Sequence, residues 1–398
     1  FLGIELPDIW AYHINTLYIH KANVLSNIGL ILFSWGLYIP FKKVLIRFNN
    51  EDFRKILSKV STQSFIYVYL GFSFGIEFIY GFRFLFPGIN TSIIAFANIK
   101  WGFFLIMFYL VYLKKEKIFI VYLIVLVELL LSFASYFSSF KNYIIFYLIA
   151  ILFYFAYASR QKKLAIFSFI GSIALLIGVV WTAIKGDYRS YLAGGVAQQA
   201  VVVEKDEALG NFFDLALNLT INELNESLDY LIDRVSYIEF FSITLGYVPN
   251  EIGHESGTIS TQAFQHIFMP RIFFPNKPVV DDSDHTNEYT GLNLMNDGVA
   301  SFGIGYMTDF YIDYGEVFMH VAIFFFRLLL GYLFYMIFFR AKDLVWSLIF
   351  TTPFFFFLSG FSRNLLKIVS DTFVYVLLIV LIGNLLYKYV QPFILKPF

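Results

Sequence analysis

The chain reads as an all-α, polytopic integral membrane protein on three observations. Only 15% of its 398 residues are charged and its mean hydropathy is +0.68, where a soluble domain carries about 25% charge. Its apolar runs are continuous and about twenty residues long, the length of a spanning helix and unlike the short alternating strands of a closed barrel. One stretch alone, 185–313, is long and polar enough to require water.

Taken in order, the first predicted span is 24–40, followed by a basic connector holding Lys42, Lys43, Arg47, Arg54, Lys55 and Lys59. Next come 64–82, a turn through Pro87-Gly88-Ile89-Asn90, and 93–113 ending at Lys114-Lys115-Glu116-Lys117. The fourth and fifth spans are 118–137 and 143–157; Arg160, Lys162 and Lys163 precede the sixth, 164–184. Beyond the polar stretch lie 316–339, 345–358 and 373–387. The chain thus divides into an N-terminal bundle (1–184), one large loop (185–313) and a C-terminal bundle (314–398).

Lys and Arg in short connectors stay on the cytoplasmic side. The first, third and fifth connectors are the basic ones, so alternation places 185–313 outside, with 87–92, Lys141 and 359–371. Nine spans then require an external N-terminus, and the apolar Phe1-Leu2-Gly3-Ile4 suits the tail of a further span, which would make ten. Zero net charge gives no case for nucleic acid, and the absence of Cys excludes thiolate metal sites and Cys nucleophiles. Glu77, Lys100, Glu128 and Arg327 fall inside apolar runs, where a charge costs roughly 2.5–3.5 kcal/mol on insertion scales unless it is paired or wet. They are either structural pairs or, for Arg327, the lining of a polar cavity.

The loop is too long for a passive connector. Its apolar residues recur at helical spacing along Phe212, Leu215, Leu224, Leu228, Leu231 and Val235, predicting one or two helices over 211–244, and another over 258–268 that Pro270 stops. Pro275 and Pro278 then force an extended passage through Asn276-Lys277. Its six cations, Lys185, Arg189, Lys205, Arg234, Arg271 and Lys277, stand among nineteen acidic residues.

Met269-Pro270-Arg271 followed by Pro275-Asn276-Lys277-Pro278 resembles the pattern of the Wzy-type oligosaccharide repeat-unit (O-antigen) polymerases. Tyr188-Arg189 after a span, Arg234 to Tyr237, Asp309-Phe310-Tyr311-Ile312-Asp313-Tyr314-Gly315 and the later Ser362-Arg363-Asn364 fit the same resemblance, which covers about 185–370. Asp309 and Asp313 stand where that pattern commonly has Glu and Asn. The resemblance implies a GT-C-like enzyme of the bacterial inner membrane, working on its outer face and joining undecaprenyl-pyrophosphate-linked repeats by inverting, metal-independent glycosyl transfer without a cofactor. Its partners would be those lipid-linked glycans, membrane lipid, a chain-length regulator and a flippase.

Elementary chemistry agrees that arginines matter to such a reaction, because a departing pyrophosphate develops charge that a fixed fork of donors stabilises. Arg189, Arg271, Lys277 and Arg363 are the expected pyrophosphate ligands, with Arg189 and Arg271 counted as catalytic. Arg234 either joins them or ties the loop helix down; each cation has a plainer role open to it as an interfacial or solvated side chain. For the general base, His254 and His266 are the expected candidates, with His285 a third histidine in the loop. Asp281, Asp282 and Asp284 offer hard oxygen ligands, but an acidic run is usually only solvated, and no metal site is expected. An O-antigen ligase or other lipid-linked glycosyltransferase shares this architecture. A flippase or transporter would concentrate its polar residues inside the spans.

Overall fold

The computed structural model describes residues 16–81, 90–134, 140–154, 159–195, 201–235, 238–269, 274, 277, 281–294 and 302–395. Among them all regular structure is helical: α1 (Thr16–Arg47), α2 (Asn50–Ser58), α3 (Thr62–Gly81), α4 (Asn90–Lys114), α5 (Ile118–Phe133), α6 (Phe140–Tyr154), α7 (Arg160–Leu192), α8 (Lys205–Leu217), α9 (Ile221–Val235), α10 (Ile238–Tyr247), α11 (Thr258–Ile267), α12 (Asp282–Thr290), α13 (Tyr306–Arg340), α14 (Leu344–Thr351), α15 (Phe354–Leu358) and α16 (Leu365–Leu395).

Five helices are long and apolar enough to cross a membrane: the 18–47 part of α1, then α4, α7, α13 and α16. The protein is therefore a helical membrane protein, as expected. The other four expected spans are less regular. Those at 118–137 and 143–157 form the shorter α5 and α6, the run from 64 forms the 20-residue α3, and 345–358 breaks into α14 and α15 around Thr352 and Pro353. Proline supplies no N–H for a continuing helix, and here Pro353 stands at the start of α15.

Helix ends depart further from expectation. Helix α7 continues past residue 184 to Leu192, so Tyr188-Arg189 is helical. Helix α13 begins at Tyr306, so Asp309 and Asp313 lie on its first turns, before a break at Gly315 (φ 69°, ψ −173°) that only glycine tolerates. The stretch 211–244, expected to hold one or two helices, holds parts of three, α8, α9 and α10, and the helix expected over 258–268 is α11.

The chain forms two compact units. One holds the end of α4 from Phe108 and α5 to α9. Its core is Phe133, Phe140, Tyr188, Leu192 and Phe212, and the Tyr188 hydroxyl donates to the Phe133 carbonyl at 2.7 Å. The other holds α1 to α3, α4 as far as Met107, and α10 to α16.

In this second unit α1 lies along α13. A Cβ on Gly36 would stand 2.6 Å from the Phe324 carbonyl oxygen, so the two backbones approach closely only because this position is glycine. His320 Nε2 and the Leu25 carbonyl add a hydrogen bond at 3.0 Å across the same seam. Helix α11 packs on α16, and α12 is tied to the strand-like run before α13 through Thr286 Oγ1 donating to the Phe302 carbonyl at 2.6 Å.

Candidate functional site

A polar cluster in the second unit forms where α12, the 302–305 run, the first turn of α13 and the 359–364 connector meet. Glycine makes this meeting possible. Gly305 has φ +84°, and a Cβ there would lie 2.3 Å from the Phe361 carbonyl oxygen; at Gly303 it would lie 2.6 Å from that of Ser362. Backbone thus packs on backbone, which brings the connector down onto the start of α13.

Asp309 is fully buried at the centre. One oxygen meets His285 Nε2 at 2.8 Å, and the other accepts the Leu365 N–H, the first of α16, at 2.6 Å. A carboxylate at a helix start satisfies an orphan donor and sits favourably in the helix dipole. Both of its oxygens are fixed, so Asp309 orients the imidazole and leaves Nδ1 as the ring nitrogen it does not engage. The His285 ring also rests edge-on against Tyr289, with centroids 5.0 Å apart.

Burial opposes charge on His285. The Asp309 carboxylate outweighs it by charge and by hydrogen bond, with Glu288 and Asp282 adding to the effect, and the net result lifts the imidazole pKa above its ordinary 6.5. One turn earlier on α12, Asp282 accepts Asn364 Nδ2 and Lys367 Nζ, each at 2.6 Å. Asn364 in turn caps α16 by accepting the Lys367 N–H at 2.9 Å. Arg363 pairs with Asp371. Arg363 and Lys367 are the cations at this rim, with side chains 31% and 36% exposed.

A second carboxylate organises the neighbouring helix. Asp313 accepts the N–H groups of Ile259 and Ser260 at 3.0 and 2.7 Å and the Ser260 hydroxyl at 2.5 Å, closing the N-terminus of α11. This is a structural cap.

The expected site residues belong to both units. Arg363 belongs to the cluster. Arg189 sits in the last turn of α7 in the first unit, its guanidinium 5.8 Å from the Trp181 ring centroid. The backbone of Arg234 is in α9 of the same unit, and its side chain lies outside the described residues, as does Arg271.

The Lys277 ammonium donates to the carbonyls of His266 and Met269 at 2.7 and 2.8 Å, which ties its loop to the end of α11. His266 is in the last turn of α11. His254 bonds the Ile312 carbonyl through Nδ1 at 3.1 Å and packs on the Tyr311 ring, which anchors it to the backbone of α13.

What sequence reasoning passed over is the His285–Asp309 pair together with Asp282 and Lys367. The signal in the sequence is Asp282 and His285 three positions apart, hence on one face of α12. Among the described residues no group of three or more His, Cys, Asp or Glu is arranged to hold a metal ion.

Fold and site together define a helical membrane protein with a carboxylate-oriented histidine and two cations gathered at one end of α13 and α16. A family model described as a domain of unknown function (DUF8712) matches residues 12–392, and the chain belongs to that family. No curated protein and no solved structure matches the chain.

Proposed function

We propose that this protein is a glycosyltransferase that joins polyprenyl-pyrophosphate-linked oligosaccharide repeats at the outer face of a bacterial cytoplasmic membrane. The observation that carries the proposal is the buried Asp309, which fixes His285, with Lys367 held by Asp282 one turn away on α12 and Arg363 paired to Asp371 in the adjoining connector. Inverting transfer needs one group to take a proton from the acceptor hydroxyl and others to stabilise a pyrophosphate as it leaves. The resemblance of 185–370 to repeat-unit polymerases supports the same chemistry.

In this reading neutral His285 accepts the hydroxyl proton at Nδ1 as the acceptor oxygen bonds to the anomeric carbon. The bond from that carbon to the pyrophosphate oxygen breaks, and its electron pair leaves with the lipid pyrophosphate. Asp309 holds the ring and stabilises the imidazolium that forms. Arg363 and Lys367 meet the developing charge, and Arg271 remains a proposed ligand of the same group. His285 replaces His254 and His266 as the proposed base, because theirs are the rings and backbone already engaged in holding α13 and the 266–277 loop.

The test is to incubate purified protein in lipid nanodiscs with lipid-linked repeat units and resolve the products by size. A ladder that falls roughly 10²–10⁴-fold in His285→Ala is the expected result. A single transfer to another lipid acceptor supports a ligase. Transbilayer movement without any product overturns glycosyl transfer.

A further inference from the structure

Below this cluster, mid-way along α13, lies a charge that the proposed chemistry does not use. Arg327 is fully buried, and its guanidinium carbon sits 4.1 Å from the Phe33 ring centroid, 4.5 Å from that of Tyr306 and 5.6 Å from that of Phe326. Nη1 donates to the Phe357 carbonyl at 3.3 Å, and the Tyr306 hydroxyl lies close enough to the guanidinium to interact with it. A buried cation held by aromatic faces and one carbonyl is an expensive way to fill space. A leucine would pack there at lower cost, so what Arg327 holds matters.

It holds the 359–364 connector. Phe357 is the next-to-last residue of α15, whose terminal carbonyls have no helical partner. The connector that follows is clamped from the same cage: Phe361 stacks on Phe33 at 5.4 Å and lies 6.2 Å from Tyr306. From above, Asp282 takes Asn364 and Asp309 takes the Leu365 N–H. The connector is therefore gripped on two sides, by Arg327 and its rings below and by the acids of the polar cluster above.

We infer that Arg327 is a positioning residue: through Phe357 and the 359–364 connector it places the Leu365 N–H and Arg363, and so fixes Asp309 and His285. Its link to catalysis rests on the glycosyl-transfer reading, whereas the positioning itself does not.

The experiment uses the whole protein in nanodiscs and compares wild type with Arg327→Met, Arg327→Lys and Phe33→Leu. Three quantities are read: thermal midpoint, hydrogen–deuterium exchange over 359–366, and the pH dependence of His285 acylation by diethyl pyrocarbonate, followed on the 281–290 peptide. The groups facing His285 are Asp309, Asp282, Glu288 and the Tyr289 ring, and none is altered by these substitutions.

Arg327→Met is expected to keep or raise the thermal midpoint, to speed exchange over 359–366 roughly tenfold, and to move the His285 midpoint down towards the ordinary value as Asp309 loosens. Phe33→Leu should act in the same direction, and Arg327→Lys, which keeps a donor for Phe357, should restore the wild-type exchange. Unchanged exchange and titration in Arg327→Met overturns the inference. So does a uniform rise in exchange along α13 and α16 with a lower thermal midpoint, the mark of a merely structural role. If wild type extends no lipid-linked glycan while the exchange result holds, the functional reading fails and the positioning stands.

Discussion

Asp309 divides its two oxygens between a histidine and a helix start, and this division has a measurable sign. The folded-state pKa of His285 lies above its ordinary 6.5. The protonated pair therefore contributes stability that is complete below about pH 6.5 and disappears as pH rises through the higher folded value. Denaturant titrations between about pH 5.5 and 8 should show that slope in wild type and a flatter one in His285→Gln; parallel curves would mean the pair is not formed. The same shift makes base catalysis rise with pH over this window, because only the neutral ring accepts a proton. Asp309→Asn removes the charge that raised the midpoint, so the pH–rate curve should move to lower pH while its maximum falls.

Helix ends carry the site, and two of them are set by glycine and by a carboxylate. Gly305→Ala brings a Cβ to 2.3 Å from the Phe361 oxygen at φ +84°; a loss of about 1–3 kcal/mol is expected in thermal unfolding, with the connector displaced. Asp313→Ala strips the cap from α11 and leaves the Ile259 and Ser260 N–H groups buried without an acceptor. That should cost roughly 1–3 kcal/mol, with Asp313→Asn milder because it keeps an oxygen.

These ends were also where sequence reasoning stopped. Hydropathy located α4, α7, α13 and α16 because lipid-length apolar runs say where hydrocarbon lies. It says nothing of where a helix ends in water, so Asp187 and Arg189 at one end, and Asp309 and Asp313 at another, read as loop although all four are helical. The site was less legible still. His285 meets Asp309 across 24 positions and Lys367 meets Asp282 across 85, and no local spacing encodes a pairing of that range.

On the scale of the molecule, the chain has no cysteine, so wild type is its own unlabelled control for mapping orientation. Lys and Arg placement expects Glu226→Cys in the large loop to react with an impermeant maleimide in intact cells, and Ser58→Cys on α2 only after permeabilisation. Both side chains are exposed. The reverse pattern would invert the topology and remove the outer face from the proposed function.

The aromatic cage around Arg327 bears on how the protein is made. Phe33 comes from the first described helix, and the cation it covers is translated almost three hundred residues later; His320 and Leu25, which join the same two helices, are 295 positions apart. Until α13 emerges from the ribosome, α1 must wait in the bilayer with Gly36 and Phe33 facing lipid. When α13 arrives, its arginine brings only the rings of Tyr306 and Phe326 with it and lacks that of Phe33 until the helices dock. Docking of the two helices is thus the step that makes the second of them tolerable in the membrane, and a chain cut short before α13 would leave the Gly36 and Phe33 face of its first helix uncovered.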